Sequence, residues 1–268
     1  MKLSVVIPSY KDPYVYKTVD SLIENSLLKD DMEIIVVLDG YWVETPFRTD
    51  FNIVTVHMGK NRNMRESINT GVRIAQGKYI MRVDEHCSFA PGYDKQLVDD
   101  MERRCRKGDW IMTATRYFLN PETWEVLDKK PVIYEKLKPR DMGDGHFKWE
   151  GVSWNDRAKK NKHKQIDQTM AMQGSMWIMR KKWWEDVIGE LNSERYGDML
   201  QDSHEMQFKT WKAGGKLVVN KNTWFAHKHV SFPRTHNHPK QDYIQGLDNI
   251  YNDYKDYYEK KVRKTWKI

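Results

Sequence analysis

Three short apolar runs that each stop at polar residues constrain this chain more than any other feature. Leu3 to Ile7 stops at Pro8-Ser9-Tyr10, Ile34 to Leu38 at Asp39-Gly40, and Tyr79 to Val83 at Asp84-Glu85-His86. Uninterrupted runs of this length, rich in Val and Ile, are what strands buried on both faces require. Asn52 to Val56 reads as one more strand. Residues 13–28 carry Tyr16, Val19, Leu22, Ile23 and Leu27 at helical spacing, and residues 64–76 read as a helix closed by Gly77. Strand, helix, strand, strand, helix, strand within about 85 residues predicts a mainly parallel, Rossmann-like α/β sheet flanked by helices. In such sheets ligands bind outside the carboxyl ends of the strands, where these polar residues stand.

Beyond residue 110 the pattern changes. Residues 113–170 are rich in Trp, Lys, Asp and Gly with weak periodicity, and Arg157 to Lys164 carries five formal positive charges and no acid. That stretch reads as a solvated or acceptor-facing loop. Apolar order returns at Met176 to Met179, a helix is expected over 201–213 before Gly214-Gly215, and a Tyr- and Lys-rich helix over 240–264. No composition break marks a linker. A single domain over 1–268 is expected, with a nucleotide-binding half (1–110), an acceptor- and sugar-binding half (111–239) and a C-terminal helix (240–268).

The balance of 45 Lys and Arg against 38 Asp and Glu gives +7, which excludes an acidic solvating protein and leaves room for an anionic partner. The longest aliphatic run, Ile34 to Leu38, is far too short to span a bilayer, and residues 1–10 do not read as a signal peptide. Two cysteines make no disulfide framework, so a reducing, cytoplasmic setting and no membrane partner are expected.

Arg82-Val83-Asp84-Glu85-His86 carries the chemistry. A carboxylate and an imidazole two residues apart, just past a strand, can turn toward one point and hold a divalent ion. Oxygen and nitrogen donors of this kind suit Mn²⁺, with Mg²⁺ less well matched to imidazole. Trp224 to His229 offers two further imidazoles, His227 and His229, which read equally as a surface pair. No Cys partner or recognised spacing supports zinc.

Taken with Gly77-Lys78-Tyr79-Ile80, these strand-end motifs resemble the nucleotide-sugar domain of family 2 (GT-A) glycosyltransferases. The resemblance is closer to the catalytic domain of polypeptide N-acetylgalactosaminyltransferases, through Asp84-Glu85-His86, Phe147-Lys148-Trp149, Gln173-Gly174-Ser175 and the segment Asp202 to Gly215. It implies a GT-A fold and a UDP-sugar donor. It also implies a metal held by Asp84, His86 and His229, with Asp39 on the uracil and Pro8, Ser9 and Tyr10 flanking base or ribose. Arg65, Arg234 and His238 are then candidate diphosphate contacts, and Gly174 and Ser175 line the sugar. Asp202, supported by Glu205, would hold sugar hydroxyls as the catalytic acidic pair.

One departure bears on stereochemistry. Inverting family 2 enzymes place an Asp directly after the acidic residue of this helix; here Ser203 stands there, which implies retention. Two acceptor classes stay open: a hydroxymethylated pyrimidine in DNA, toward which the basic segments and interleaved aromatics lean, and a protein Ser/Thr hydroxyl. A non-catalytic module binding UDP-sugar or nucleic acid is the alternative of a different class.

Overall fold

The computed structural model describes residues 1–197, 201–229 and 240–268. The first half alternates as expected: β1 (Leu3–Ser9), α1 (Val15–Glu24), β2 (Met32–Asp39), β3 (Ile53–Met58), α2 (Asn63–Ile74) and β4 (Tyr79–Val83). There follow β5 (Cys87–Phe89), α3 (Tyr93–Arg104), β6 (Trp110–Phe118), a hairpin of β7 (Glu135–Gly143) and β8 (His146–Ser153), α4 (Asn155–Lys160), β9 (Ile166–Gln168) and β10 (Met176–Arg180). The last elements are α5 (Lys181–Trp183) running into a wide turn, α6 (Ser193–Tyr196), α7 (Asp202–Lys212), β11 (Lys216–His227), α8 (Lys240–Tyr257) and α9 (Arg263–Trp266).

Nine of the strands form one sheet in the order β3-β2-β1-β4-β10-β6-β11-β5, with β9 on β11. The pairs β3/β2, β2/β1, β1/β4 and β6/β11 are parallel, while β10 runs antiparallel to both of its neighbours. The sheet is therefore mixed, with its parallel half in the first 85 or so residues, as the sequence pattern requires.

Every residue of β1, β2 and β4 is buried, which explains why these strands carry no polar alternation. Their two faces feed two cores. Val5, Ile7, Val36 and Met81 pack with Val19, Leu22, Leu97 and Met101 of α1 and α3; Val6, Ile35, Val37 and Ile80 pack with Ile68 and Val72 of α2. A third core joins the β7–β8 hairpin to α7 and α8 through Leu137, Trp149, Phe208, Ile250 and Tyr254. Much of the unusual aromatic content is spent there. Trp149 lies within 5.3 Å, ring to ring, of Phe208, Tyr251 and Tyr258.

Some expected boundaries shift. The helix expected over 13–28 ends at Glu24, leaving Leu27 outside it and 68% exposed. Part of the expected basic loop is helical, as α4. The C-terminal helix is broken near its end by a wider turn at Tyr258–Val262 before α9. Among the described residues no helix is long and apolar enough to cross a membrane.

Candidate active site

The parallel strands β1, β2 and β4 deliver their carboxyl ends to one edge of the sheet, and a cleft opens there. It is lined by Pro8, Ser9, Tyr10, Asp39, Asp84 and His86, all expected from sequence, by Glu85 of the same strand end, and by Asn61, Asn63, Met64 and Ser67, which were not. Asp39 is held rigidly: Asn61 Nδ2 donates to one oxygen at 2.8 Å and the Arg62 backbone N–H to the other at 2.6 Å. Gly40 makes this possible. Its φ is +73°, and a Cβ there would lie 2.1 Å from the Asn61 nitrogen. The Ser9 and Tyr41 hydroxyls are bonded, and the Tyr10 backbone N–H donates to Glu85 at 2.9 Å.

Asp84 sits at the centre. Arg82 Nη2 lies 2.6 Å from one carboxylate oxygen and His227 Nε2 lies 3.0 Å from the other. Burial works to raise the Asp84 pKa, but the Arg82 charge and His227 outweigh it and hold the carboxyl well below its ordinary value. His86 Nε2 is 3.1 Å from His227 Nε2 and 4.0 Å from Asp84. On its other side His86 Nδ1 lies 2.8 Å from Asp12, whose side chain is fully buried. An ionised carboxylate only accepts, so Asp12 fixes the proton of His86 on Nδ1 and leaves the Nε2 lone pair facing the cluster. His227 is pushed down to about 4, chiefly by burial against the pull of Asp84, so its ring is neutral at pH 7.

The donor set fits a divalent cation. Asp84, His86 and His227 bring three ligand atoms within 4.8 Å of one another. Two of their separations, 3.0 and 3.1 Å, match the roughly 3 Å between adjacent ligands of an ion bound at about 2.1 Å. His229 is not in this group. Its ring is bonded to Arg116, which in turn meets Glu135 at 3.1 Å, and its ring centre is 4.8 Å from that of His227. The reason lies in β11, which runs on to His227 and pairs it with Cys87 of β5, directly beside His86. The strand's last residue thus reaches the cluster, where sequence resemblance pointed two residues further on.

The remaining expected residues divide. Gly174 and Ser175 flank the cluster: the Ser175 carbonyl accepts from the Asp84 N–H at 2.9 Å, and the Gly174 carbonyl accepts from Arg82. Asp202, the first residue of α7, is 5% exposed and faces Gly174, where a Cβ would lie 3.1 Å from Asp202 Oδ2. That oxygen is buried without a hydrogen-bond partner among the described residues, an acceptor awaiting a donor.

Arg65 and Glu205 must be reassigned. Both side chains are wholly buried and bonded to each other, and Glu205 also meets Lys209 at 2.7 Å and accepts from the Asn192 N–H at 3.2 Å. Arg65 is therefore spent on an internal ion pair instead of reaching toward a diphosphate, and Glu205 is a structural anchor, not half of a catalytic pair. Arg234 and His238 lie outside the described residues.

The profile of "Glycosyl transferase family 2" matches residues 4–188, which hold nearly all of β1 through β10, the parallel half of the sheet, and Asp84 and His86 of the cluster. The chain belongs to glycosyl transferase family 2. Two curated relatives agree. An uncharacterized glycosyltransferase, EpsJ of Bacillus subtilis (strain 168), is 30% identical over 112 residues, 38% of this chain and 30% of that protein. Polypeptide N-acetylgalactosaminyltransferase 14 of Homo sapiens is 20% identical over 151 residues, 56% of this chain and 25% of that protein. The matches thus span less than a third of either relative. Among solved structures, GalNAc-T7 with UDP, GalNAc and Mn²⁺ superposes with a TM-score of 0.73 at 17% identity, over 96% of this chain and 49% of that one. S. aureus TarS 1–349 in complex with UDP-GlcNAc gives 0.59 at 15% identity, over 91% of this chain and 63% of that one. Both share the GT-A fold of this family 2 chain.

Proposed function

We propose that this chain is a metal-dependent glycosyltransferase that moves a sugar from a UDP-sugar to a hydroxyl acceptor with retention of configuration. The observation that carries this is the convergence of Asp84, His86 and His227, the first two of which line the same cleft as Asp39. The relatives' UDP complexes support a UDP-sugar donor, and the Mn²⁺ in GalNAc-T7 supports that metal, with Mg²⁺ the second choice. Asp84, His86 and His227 are the residues that hold the ion. When bound, a divalent cation neutralises the charge that grows on the diphosphate as the sugar bond breaks.

The chain's own residues supply the rest. Asp39, fixed by Asn61 and Arg62, accepts from the uracil N–H, while Ser9 and Tyr10 flank the nucleoside. The unpartnered Asp202 oxygen accepts from a sugar hydroxyl, and Gly174, lacking a side chain, leaves the room for it. Retention is supported by the lack of a carboxylate at Ser203 and by the engagement of Glu205 with Arg65 and Lys209, which leaves no unengaged carboxylate after Asp202 on α7. The bond from the anomeric carbon to the phosphate oxygen breaks, the acceptor oxygen bonds on the same face, and its proton passes to a phosphate oxygen of the departing UDP.

The acceptor we favour is a hydroxymethylated pyrimidine in DNA, on the strength of the basic segments and of lysines set over aromatic rings: Lys228 5.2 Å from Tyr14 and Lys17 5.3 Å from Trp124. A protein Ser/Thr hydroxyl is the second reading, favoured by the likeness to polypeptide N-acetylgalactosaminyltransferase 14. The test is UDP release from a panel of UDP-sugars with Mn²⁺, comparing 5-hydroxymethylpyrimidine duplex, the same duplex unmodified, and Ser/Thr peptides. Release stimulated only by the hydroxymethylated duplex is expected. Release stimulated only by peptides overturns the DNA acceptor, no release from any donor overturns the transferase, and an inverted product overturns retention.

A further inference from the structure

The chain's net charge is not spread over its surface. Residues 155–164 and 256–268 together hold ten Lys and Arg against three acids, Asp156, Asp256 and Glu259, a net of +7. That equals the formal charge of the whole protein, so the other 245 residues sum to zero. Separated by about 100 positions in sequence, the two segments meet in the fold. Trp154, which precedes α4, and Trp266, in α9, have ring centres 5.8 Å apart, and the Arg157 guanidinium lies 5.4 Å from the first ring and 5.0 Å from the second. Arg157 also donates to the Gln168 carbonyl and to Asp167. One cation thus clamps the two segments into a single basic face.

What this face presents outward is lysine. Arg157 and Arg263 are engaged within the fold, as are Lys164 with Asp167 and Lys260 with Asp256. Lys159, Lys160, Lys162, Lys261, Lys264 and Lys267 are exposed and have no acidic partner among the described residues. Six like charges held together repel one another, and their mutual cost is relieved by an anion of high charge density. Lysine suits a phosphate backbone as a point charge without the bidentate geometry that base or carboxylate recognition draws from arginine.

We infer that the α4–α9 face docks the phosphate backbone of duplex nucleic acid, independently of its sequence. The face is not part of the donor cleft. It is anchored on β9, which pairs with Val218 to Asn220 of β11, and from Val218 to the cluster at His227 the sheet runs six residues of β6, roughly 20 Å. A duplex about as wide as that distance, held on this face, is kept beside the cleft between turnovers. The inference deepens the DNA-acceptor reading and rests on it for the identity of the polymer.

The experiment uses the full chain and an unmodified, fluorescently labelled 20-base-pair duplex without donor, with anisotropy read across salt concentrations. Binding is expected with a log K against log [salt] slope of about −3 to −5. Replacing Lys159, Lys160 and Lys162 together by Glu, and separately Lys261, Lys264 and Lys267, is expected to weaken binding at least about tenfold and to flatten the slope by about 2 or more. UDP affinity and melting temperature stay unchanged, because all six side chains are exposed. Absence of duplex binding at low salt, unchanged affinity and slope in both variants, or polyglutamate binding as tight as duplex each overturns the inference. The two readings fail separately. Duplex docking without transfer to hydroxymethylated DNA sinks the acceptor and leaves the face standing; transfer to DNA with unaltered affinity in the variants sinks the face alone.

Discussion

The Asp12 carboxylate lies 2.8 Å from Nδ1 of His86 and is fully buried, so the imidazole that faces the Asp84 cluster is oriented from behind by a carboxylate three residues past the end of β1. This is the arrangement by which proteins set the tautomer and basicity of a ligating histidine. Asp12→Asn keeps the size of the side chain but can present its amide N–H₂ to Nδ1, which moves the proton to Nε2. We expect Mn²⁺ affinity in the presence of UDP to fall about 10- to 100-fold, with UDP affinity in the absence of metal unchanged. Isothermal titration with Mn²⁺, together with the ¹⁵N chemical shifts of the His86 ring, checks this. Unaltered Mn²⁺ affinity with an unaltered tautomer would show that Asp12 serves only the fold.

The third imidazole of the cluster can be decided by comparing two neighbours on the same segment. His227 Nε2 is 3.0 Å from Asp84, whereas His229 is bonded to Arg116. His227→Ala is expected to abolish measurable Mn²⁺ binding, and His229→Ala to leave it within about threefold, since losing a direct ligand costs more than losing a neighbour. Electron paramagnetic resonance of titrated Mn²⁺ reports both. The opposite ranking restores His229 as the ligand.

That pair also shows where the sequence is legible and where it is not. β1, β2 and β4 are recognisable because burial on both faces leaves an uninterrupted apolar run, and the polar residue ending each run is where the cleft opens. β11 hides its end. Asn220, Lys221 and Asn222 interrupt it, and its register slips between Asn220 and Trp224, so nothing in the pattern marks His227 as the terminal strand residue. Arg65 and Glu205 misled for another reason. Charged residues in a ligand-binding region invite a catalytic reading, and only the fold reveals that two groups 140 positions apart neutralise each other. Asp12 belongs to no motif; its role exists only once β1 and β4 are adjacent.

Gly174 tests the sugar pocket. A methyl group there meets Asp202 Oδ2 at 3.1 Å, tight enough to displace the carboxylate from its present position. Gly174→Ala is expected to lower kcat/KM for the sugar donor by about tenfold to a hundredfold, because small misplacements of a positioning group carry such penalties. UDP itself, which lacks the transferred sugar, should bind as before. Equal weakening of UDP would place Asp202 outside the sugar pocket.

The buried ion pair predicts a stability effect. Removing one partner unbalances buried charge, so Arg65→Met or Glu205→Gln is expected to cost about 3–5 kcal/mol, a drop of roughly 6 °C or more in Tm, with Arg65→Met at the lower end because Glu205 keeps Lys209. The double variant Arg65→Met/Glu205→Met removes both charges and should recover part of that loss, although Lys209 then loses its carboxylate partner and keeps only the Ile188 and Glu190 carbonyls. Differential scanning calorimetry of the three variants measures the coupling. Additive losses would mean that the two side chains do not act as a pair.

His204 gives a pH dependence away from the metal cluster. Its pKa is pushed down to about 3, first by burial and then by the Arg65 and Lys148 charges, against 6.5 for an unperturbed imidazole. With the folded value below the unfolded one, the unfolded chain binds a proton between those limits that the folded chain refuses. Stability therefore falls as pH drops from about 6.5 toward 3, with a slope of up to about 1.4 kcal/mol per pH unit from this one group. Above pH 6.5 neither state is protonated and the contribution is flat. In His204→Asn, urea unfolding free energies over this window should decline less steeply than in the parent by about that slope. Parallel curves would mean that His204 titrates alike in the folded and unfolded chains, and that its buried Nδ1 is reached by solvent.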